Sequence, residues 1–329
     1  PFGQIQSEDI LEHNGKYYIN VKYKAFPDIV EFDPVTLNYT LLGACGKNIL
    51  APFLPIPCSR VNNIDIKLIH NDYIYYTADK IEDTPVSEIN VWSYNISTRI
   101  AKEHKLDTVG LSIDRPEYFL IFNSEVVFTA LEAGGDRGIY YMIDDNTPIR
   151  DTNDGISGII RAPQIDNGKL VTINEDGGDK IAMMYVSRNT WDDITPTTGG
   201  DYRYAFLDGN WYVQDINSFE FLKFNGTSFV TFASGFSESV VDEDRDKYLL
   251  KRNNDLEVYK AGLLERSYTN LFSGITFNDQ VEYLQESSSS VVFRSSDLLG
   301  PTYVRFSNGT QVNLEDFGIV DDNENELQV

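Results

Sequence analysis

Thr129-Ala130-Leu131-Glu132-Ala133-Gly134-Gly135-Asp136 and Thr172-Ile173-Asn174-Glu175-Asp176-Gly177-Gly178-Asp179 state nearly the same pattern twice, 43 positions apart. Asn146-Thr147 and Asn189-Thr190 keep the same offset. A fixed period of this size marks a repeat architecture, in which one supersecondary unit recurs and stacks on its neighbours.

Weaker copies extend in both directions. Each opens on a polar turn: Asn14-Gly15, Asn71-Asp72, Asn123-Ser124, Asn167-Gly168, Asp208-Gly209, Asp246, and a Ser-rich turn near Ser289. Asn-Gly and Asp-Gly supply the positive φ that tight hairpins demand, and alternating apolar residues flank them. Four strands per repeat at 40–50 residues is the period of a propeller blade. The expectation is an all-β fold: a β-propeller of seven four-stranded blades around one axis, with six or eight as alternatives. Residues 1–318 would form this single domain, and 319–329 an acidic tail.

One copy is similar to a kelch repeat. Asn167-Gly168 opens it, Gly177-Gly178 follows one strand, and Tyr185 and Trp191 come further on. The preceding copy keeps the glycine pair but has Pro148 at the tryptophan position, so the resemblance implies a divergent, kelch-like propeller.

The composition narrows the function classes. A formal net charge of −24 spreads along the chain and argues against a nucleic-acid backbone as partner, which needs clustered Lys and Arg. It suits a soluble protein, or one that meets cations or a basic partner. No apolar run approaches a membrane span. Cys45 and Cys58 bracket a Pro-rich segment and are either a disulfide or two free thiols.

Three sets of residues are candidates for chemistry or contact. In propellers, the loops between second and third strands share a face with the inter-blade loops, and ligands usually bind there. Here those loops and their flanks carry Glu132, Asp136, Glu175, Asp179, Asp255 and Glu257, with Asp79, Glu82, Asp83 and Glu88 in an insertion. Converging carboxylates could hold Ca²⁺ or raise one another's pKa into an acid/base pair; solvated turn residues are the plainer reading. No resident cofactor is expected, and the identity of any metal stays open. The second set is Phe53, Leu54 and Ile56 in Ala51–Pro57, whose three prolines exclude a central strand and leave apolar side chains for a partner. The third is the histidines: His13 and His70 precede equivalent turns, and His104 falls in a linker.

No nucleophile elbow, phosphate loop or His-rich metal signature occurs. The expected function is a binding or scaffold propeller that engages a protein or glycan. An extracellular, cell-surface or virion assembly would suit it. The alternative is a propeller hydrolase or lyase that acts on a glycan or small ester through clustered carboxylates and Ca²⁺.

Overall fold

The computed structural model describes residues 5–23, 26–43, 61–80, 88–104, 114–131, 137–151, 159–176, 179–196, 202–215, 217–218, 220–236, 238–242, 247–260, 262–271, 281–286, 290–295, 302–306 and 310–313. These residues form seven four-stranded antiparallel sheets and no helix. Within each sheet the strands pair in chain order, as an uninterrupted meander. A run of seven such meanders is the blade series of a β-propeller. The chain separates into two compact units, Pro1–Thr195 with four sheets and Pro196–Val329 with three.

In the first unit, sheet 1 holds β1 (Ile5–His13), β2 (Lys16–Tyr23), β3 (Phe26–Asp33) and β4 (Asn38–Leu41). Sheet 2 holds β5 (Val61–His70), β6 (Tyr73–Lys80), β7 (Glu88–Asn95) and β8 (Ile100–His104). Sheet 3 holds β9 (Asp114–Phe122), β10 (Glu125–Leu131), β11 (Arg137–Met142) and β12 (Ile149–Arg150). Sheet 4 holds β13 (Ile159–Asp166), β14 (Lys169–Asp176), β15 (Asp179–Ser187) and β16 (Thr190–Asp193).

In the second unit, sheet 5 holds β17 (Tyr202–Leu207), β18 (Asn210–Asp215), β19 (Glu220–Phe224) and β20 (Phe229–Ala233). Sheet 6 holds β21 (Glu238–Asp242), β22 (Lys247–Arg252), β23 (Asp255–Lys260) and β24 (Leu263–Tyr268). Sheet 7 holds β25 (Val281–Glu286), β26 (Ser290–Ser295), β27 (Thr302–Phe306) and β28 (Gln311–Asn313).

The expected turns are in place. Five first hairpins carry positive φ at both central residues: Asn14/Gly15, Asn71/Asp72, Asn123/Ser124, Asn167/Gly168 and Asp208/Gly209. This is the mirror-image type I′ turn, whose twist matches paired strands. The third-to-fourth turns of sheets 1 and 5 use another device. Asp33 Oδ1 accepts from the Val35 and Thr36 amides, and Asn225 Oδ1 from the Thr227 and Ser228 amides, so one side chain closes each turn.

The second strands of sheets 2 and 3 are buried on both faces, because a neighbouring sheet covers each; β10 is buried from Val126 through Ala130. Outer strands are half-exposed. Tyr18, Ile29 and Leu42 of sheet 1 pack on Ile66, Ile74, Tyr76 and Trp92 of sheet 2. Tyr75 and Val91 of sheet 2 pack on Val126, Phe128, Tyr140 and Met142 of sheet 3. Val127, Ile139 and Tyr141 of sheet 3 meet Leu170, Met183 and Trp191 of sheet 4. In the second unit, Tyr212 and Phe221 of sheet 5 meet Tyr248 and Leu250 of sheet 6.

The 43-residue period needs one correction. Val127 pairs with Tyr141, and Val171 pairs with Met184, so matched residues are 44 apart on the second strand and 43 apart on the third. The twin octapeptides straddle this slip. Thr129 corresponds to Ile173, Thr172 to Phe128, and Glu175 to Leu131 rather than Glu132. Since side chains alternate, Thr129 and Thr172 lie on opposite faces of their own sheets, and both turn into the space between sheets 3 and 4.

Candidate functional site

In a four-stranded meander, the first and last hairpin turns share one end, and the middle turn takes the other. The first end is well defined in the N-terminal unit. His13 closes β1, and its Nε2 lies 2.8 Å from Asp72 Oδ1 in the equivalent turn of sheet 2. His70 closes β5 and donates from Nε2 to the Ser124 carbonyl, 3.3 Å away in the equivalent turn of sheet 3. Asn71 Nδ2 donates to Asp144 Oδ1 (3.3 Å), and the Tyr75 hydroxyl to the Asp144 carbonyl (3.0 Å). Arg188, beside the last turn of sheet 4, ion-pairs with Glu125 of sheet 3. The histidines therefore stitch successive sheets together at their turns.

His104 is not a linker residue. It ends β8, pairs with Val91 and is 2% exposed. Its Nε2 lies 2.7 Å from Ser93 Oγ. Burial, then the Lys102 ammonium, pushes its pKa down to about 4, so it is neutral at physiological pH. A serine hydroxyl beside a neutral imidazole is the beginning of a nucleophilic pair. With Ser93 at 1% exposure, this one is sealed from substrate and serves the core.

Asp151 is a second buried node, which the sequence did not flag. Its Oδ2 accepts from the Tyr141 hydroxyl (2.9 Å) and from Trp191 Nε1 (3.0 Å), which joins sheets 3 and 4. Burial, and then this carboxylate, raises the Tyr141 pKa far above the phenol range. Trp191 could have signalled a partner, because a buried indole N–H needs an acceptor.

The acidic candidates fare unevenly. Asp255 Oδ1 accepts from the Asn270 amide (2.7 Å), and Glu257 Oε2 from the Tyr259 hydroxyl (2.7 Å). Both carboxylates thus serve local structure in sheet 6. Burial and Glu257 push Tyr259 up to about 12. Glu175 lies within β14 and pairs with Lys180, and Asp179 opens β15 opposite Asp176. Glu132, Asp136, Phe53, Leu54, Ile56, Cys45 and Cys58 lie outside the described residues. Among the described residues, no three His, Cys, Asp or Glu side chains converge to hold a metal ion.

The turn end also presents aliphatic side chains to solvent. Leu37, Ile100, Ile143 and Val186, one beside each third-to-fourth turn of sheets 1–4, are 73%, 60%, 44% and 52% exposed.

By its fold the chain is a β-propeller protein. No family model and no curated protein sequence matches it. Among solved structures it is similar to dipeptidyl peptidase 4 of Porphyromonas gingivalis, at TM-score 0.45 and 11% identity over 95% of this chain and 53% of that one. The β-propeller domain of the Trilobed protease from Pyrococcus furiosus matches at TM-score 0.43 and 8% identity, over 100% of this chain and 98% of that domain. The Dos1 propeller matches at TM-score 0.38 and 10% identity, over 77% and 67%. The chain spans about half the length of the first two peptidases it matches. These likenesses concern the fold alone.

Proposed function

We propose that this chain is a binding or scaffold propeller that engages a protein partner through the turn end of its N-terminal sheets. The observation that carries the reading is the exposed set Leu37, Ile100, Ile143 and Val186, set among turns already stitched by His13–Asp72 and His70–Ser124. Exposed apolar side chains rimmed by polar groups suit a protein contact. All three histidines are committed to structural bonds, which speaks against histidine-based catalysis. The setting we propose is extracellular, cell-surface or virion. The exposed sequon turn Asn225-Gly226-Thr227 accords with a secreted environment. The kelch-like character of sheet 4 belongs to the same proposal; it is supported by Tyr185 and Trp191, whose rings meet edge-on at 5.3 Å.

Cross-linking in the native source tests this, comparing the parent chain with the variant L37D/I100E/I143E/V186D. Loss of a specific adduct with unchanged Tm is expected. If every adduct of the parent survives in the variant, this face is not the contact.

A further inference from the structure

Asn-x-Ser/Thr sequons occur at Asn38, Asn95, Asn225 and Asn308, and their surroundings differ. Asn38 lies within β4, paired opposite Asp33. Asn95 is half-buried at the end of β7, and its Oδ1 accepts from the Thr98 amide (2.7 Å) rather than from Ser97. Asn308 lies outside the described residues. Asn225-Gly226-Thr227 forms an exposed turn between β19 and β20. At its base Phe224 pairs with Phe229, and both rings are buried, 5.6 Å apart. Asn225 Oδ1 accepts from the Thr227 amide (3.0 Å), the Ser228 amide (3.0 Å) and the Thr227 hydroxyl (2.9 Å). Its Nδ2 makes no hydrogen bond to the described residues. Closing such a turn requires only an acceptor, and Asp33 and Asp215 do the same work with carboxylates. The unoccupied carboxamide nitrogen of Asn225 is more than the turn demands.

We infer that Asn225 is a modification site, which takes an N-linked oligosaccharide on Nδ2. The inference rests on the extracellular setting proposed above, because the oligosaccharide donor, a lipid pyrophosphate, and its transferase meet chains that enter a secretory compartment. In the transfer, Nδ2 bonds to the anomeric carbon of the sugar, and the bond from that carbon to the pyrophosphate oxygen breaks. The lipid pyrophosphate leaves with the electron pair, and a base of the transferase takes the Nδ2 proton. Three donors on Oδ1 stabilise negative charge spread onto that oxygen, which favours loss of the proton from Nδ2. The Thr227 hydroxyl is the donor that sets this sequon apart from that of Asn95. Gly226 sits at φ +98°, a conformation that suits glycine, and puts no side chain between the carboxamide and an approaching donor.

The chain is isolated from its native source, with its cellular fraction recorded, and treated with peptide-N-glycosidase in heavy-oxygen water. The enzyme marks each glycosylated asparagine with a labelled oxygen, and peptide mass spectrometry should find that label at Asn225, at higher occupancy than at Asn95. Variants are then passed through a eukaryotic secretory pathway. T227V keeps both amide bonds to Oδ1 but removes the hydroxyl, and should lower occupancy by about tenfold or more while the deglycosylated chain keeps the parental Tm. T227S restores the hydroxyl and should recover most of the occupancy. An unlabelled Asn225 in chain from a secreted, cell-surface or virion fraction would overturn the inference and leave the extracellular setting standing. An unlabelled chain confined to the cytosol would overturn both, and unchanged occupancy in T227V would overturn the site as argued from this turn.

Discussion

His104 shows how one residue sets a pH response. Its folded-state pKa, about 4, lies below the ordinary 6.5, so the unfolded chain binds a proton more readily. The stabilisation is complete above about pH 6.5 and is lost as pH falls toward 4. Carboxylates titrate in the same window, so the informative quantity is the difference between parent and H104Q. That difference in unfolding free energy should shrink by about 3 kcal/mol between pH 7 and pH 4, read by urea denaturation at each pH. Asp151 acts through hydrogen bonds instead. D151A strands the Tyr141 hydroxyl and the Trp191 indole N–H and should cost about 3 kcal/mol. D151N keeps one acceptor oxygen and should cost less; equal losses would mean that packing alone matters there.

At the scale of elements, turns and outer strands carry the instructive detail. Gly168 sits at φ +72° with nothing within 4 Å of an added Cβ, so G168A isolates the backbone cost. A loss of about 1–2 kcal/mol in denaturant unfolding is expected there, without any change in the packing of sheet 4. Pro148 explains why β12 has two residues while β16 has four. It stands where sheet 4 has Trp191, and it lacks the N–H that would begin the ladder. The His13–Asp72 pair is half-exposed, at 25% and 50% side-chain exposure, so its stitch is weak in water. A double-mutant cycle on H13A and D72A should return under about 1 kcal/mol of coupling.

Over the whole molecule, charge is the dominant long-range term. A formal −24 is self-repelling in the folded chain, and salt screens that repulsion. Tm should therefore rise between about 20 mM and 300 mM NaCl, where the Debye length falls from about 20 Å to about 6 Å. The rise should fade as pH approaches the sequence pI of about 4.4, where solubility is also lowest. A Tm that falls with salt would mean that the surface ion pairs outweigh the net repulsion.

The sequence by itself determined the repeat, the blade series and the turn chemistry. Asn14-Gly15, Asn167-Gly168 and Asp208-Gly209 have a preference that is local, set by φ at two residues, and the structure adopts it. Alternating apolar residues likewise announced strands, because the period of two is a property of the chain. The candidate site was far less legible. Which buried polar side chains meet depends on which strand of the next sheet faces them. His104 reads as a linker residue because its neighbours Lys105 and Leu106 carry no pattern, yet pairing with Val91 buries it. Asp151 joins Tyr141 to Trp191, 40 residues further on, a meeting that no local spacing encodes. Local backbone preference is written in the sequence; the partners of buried polar atoms come from sheet-on-sheet packing, so only the tertiary structure could decide them.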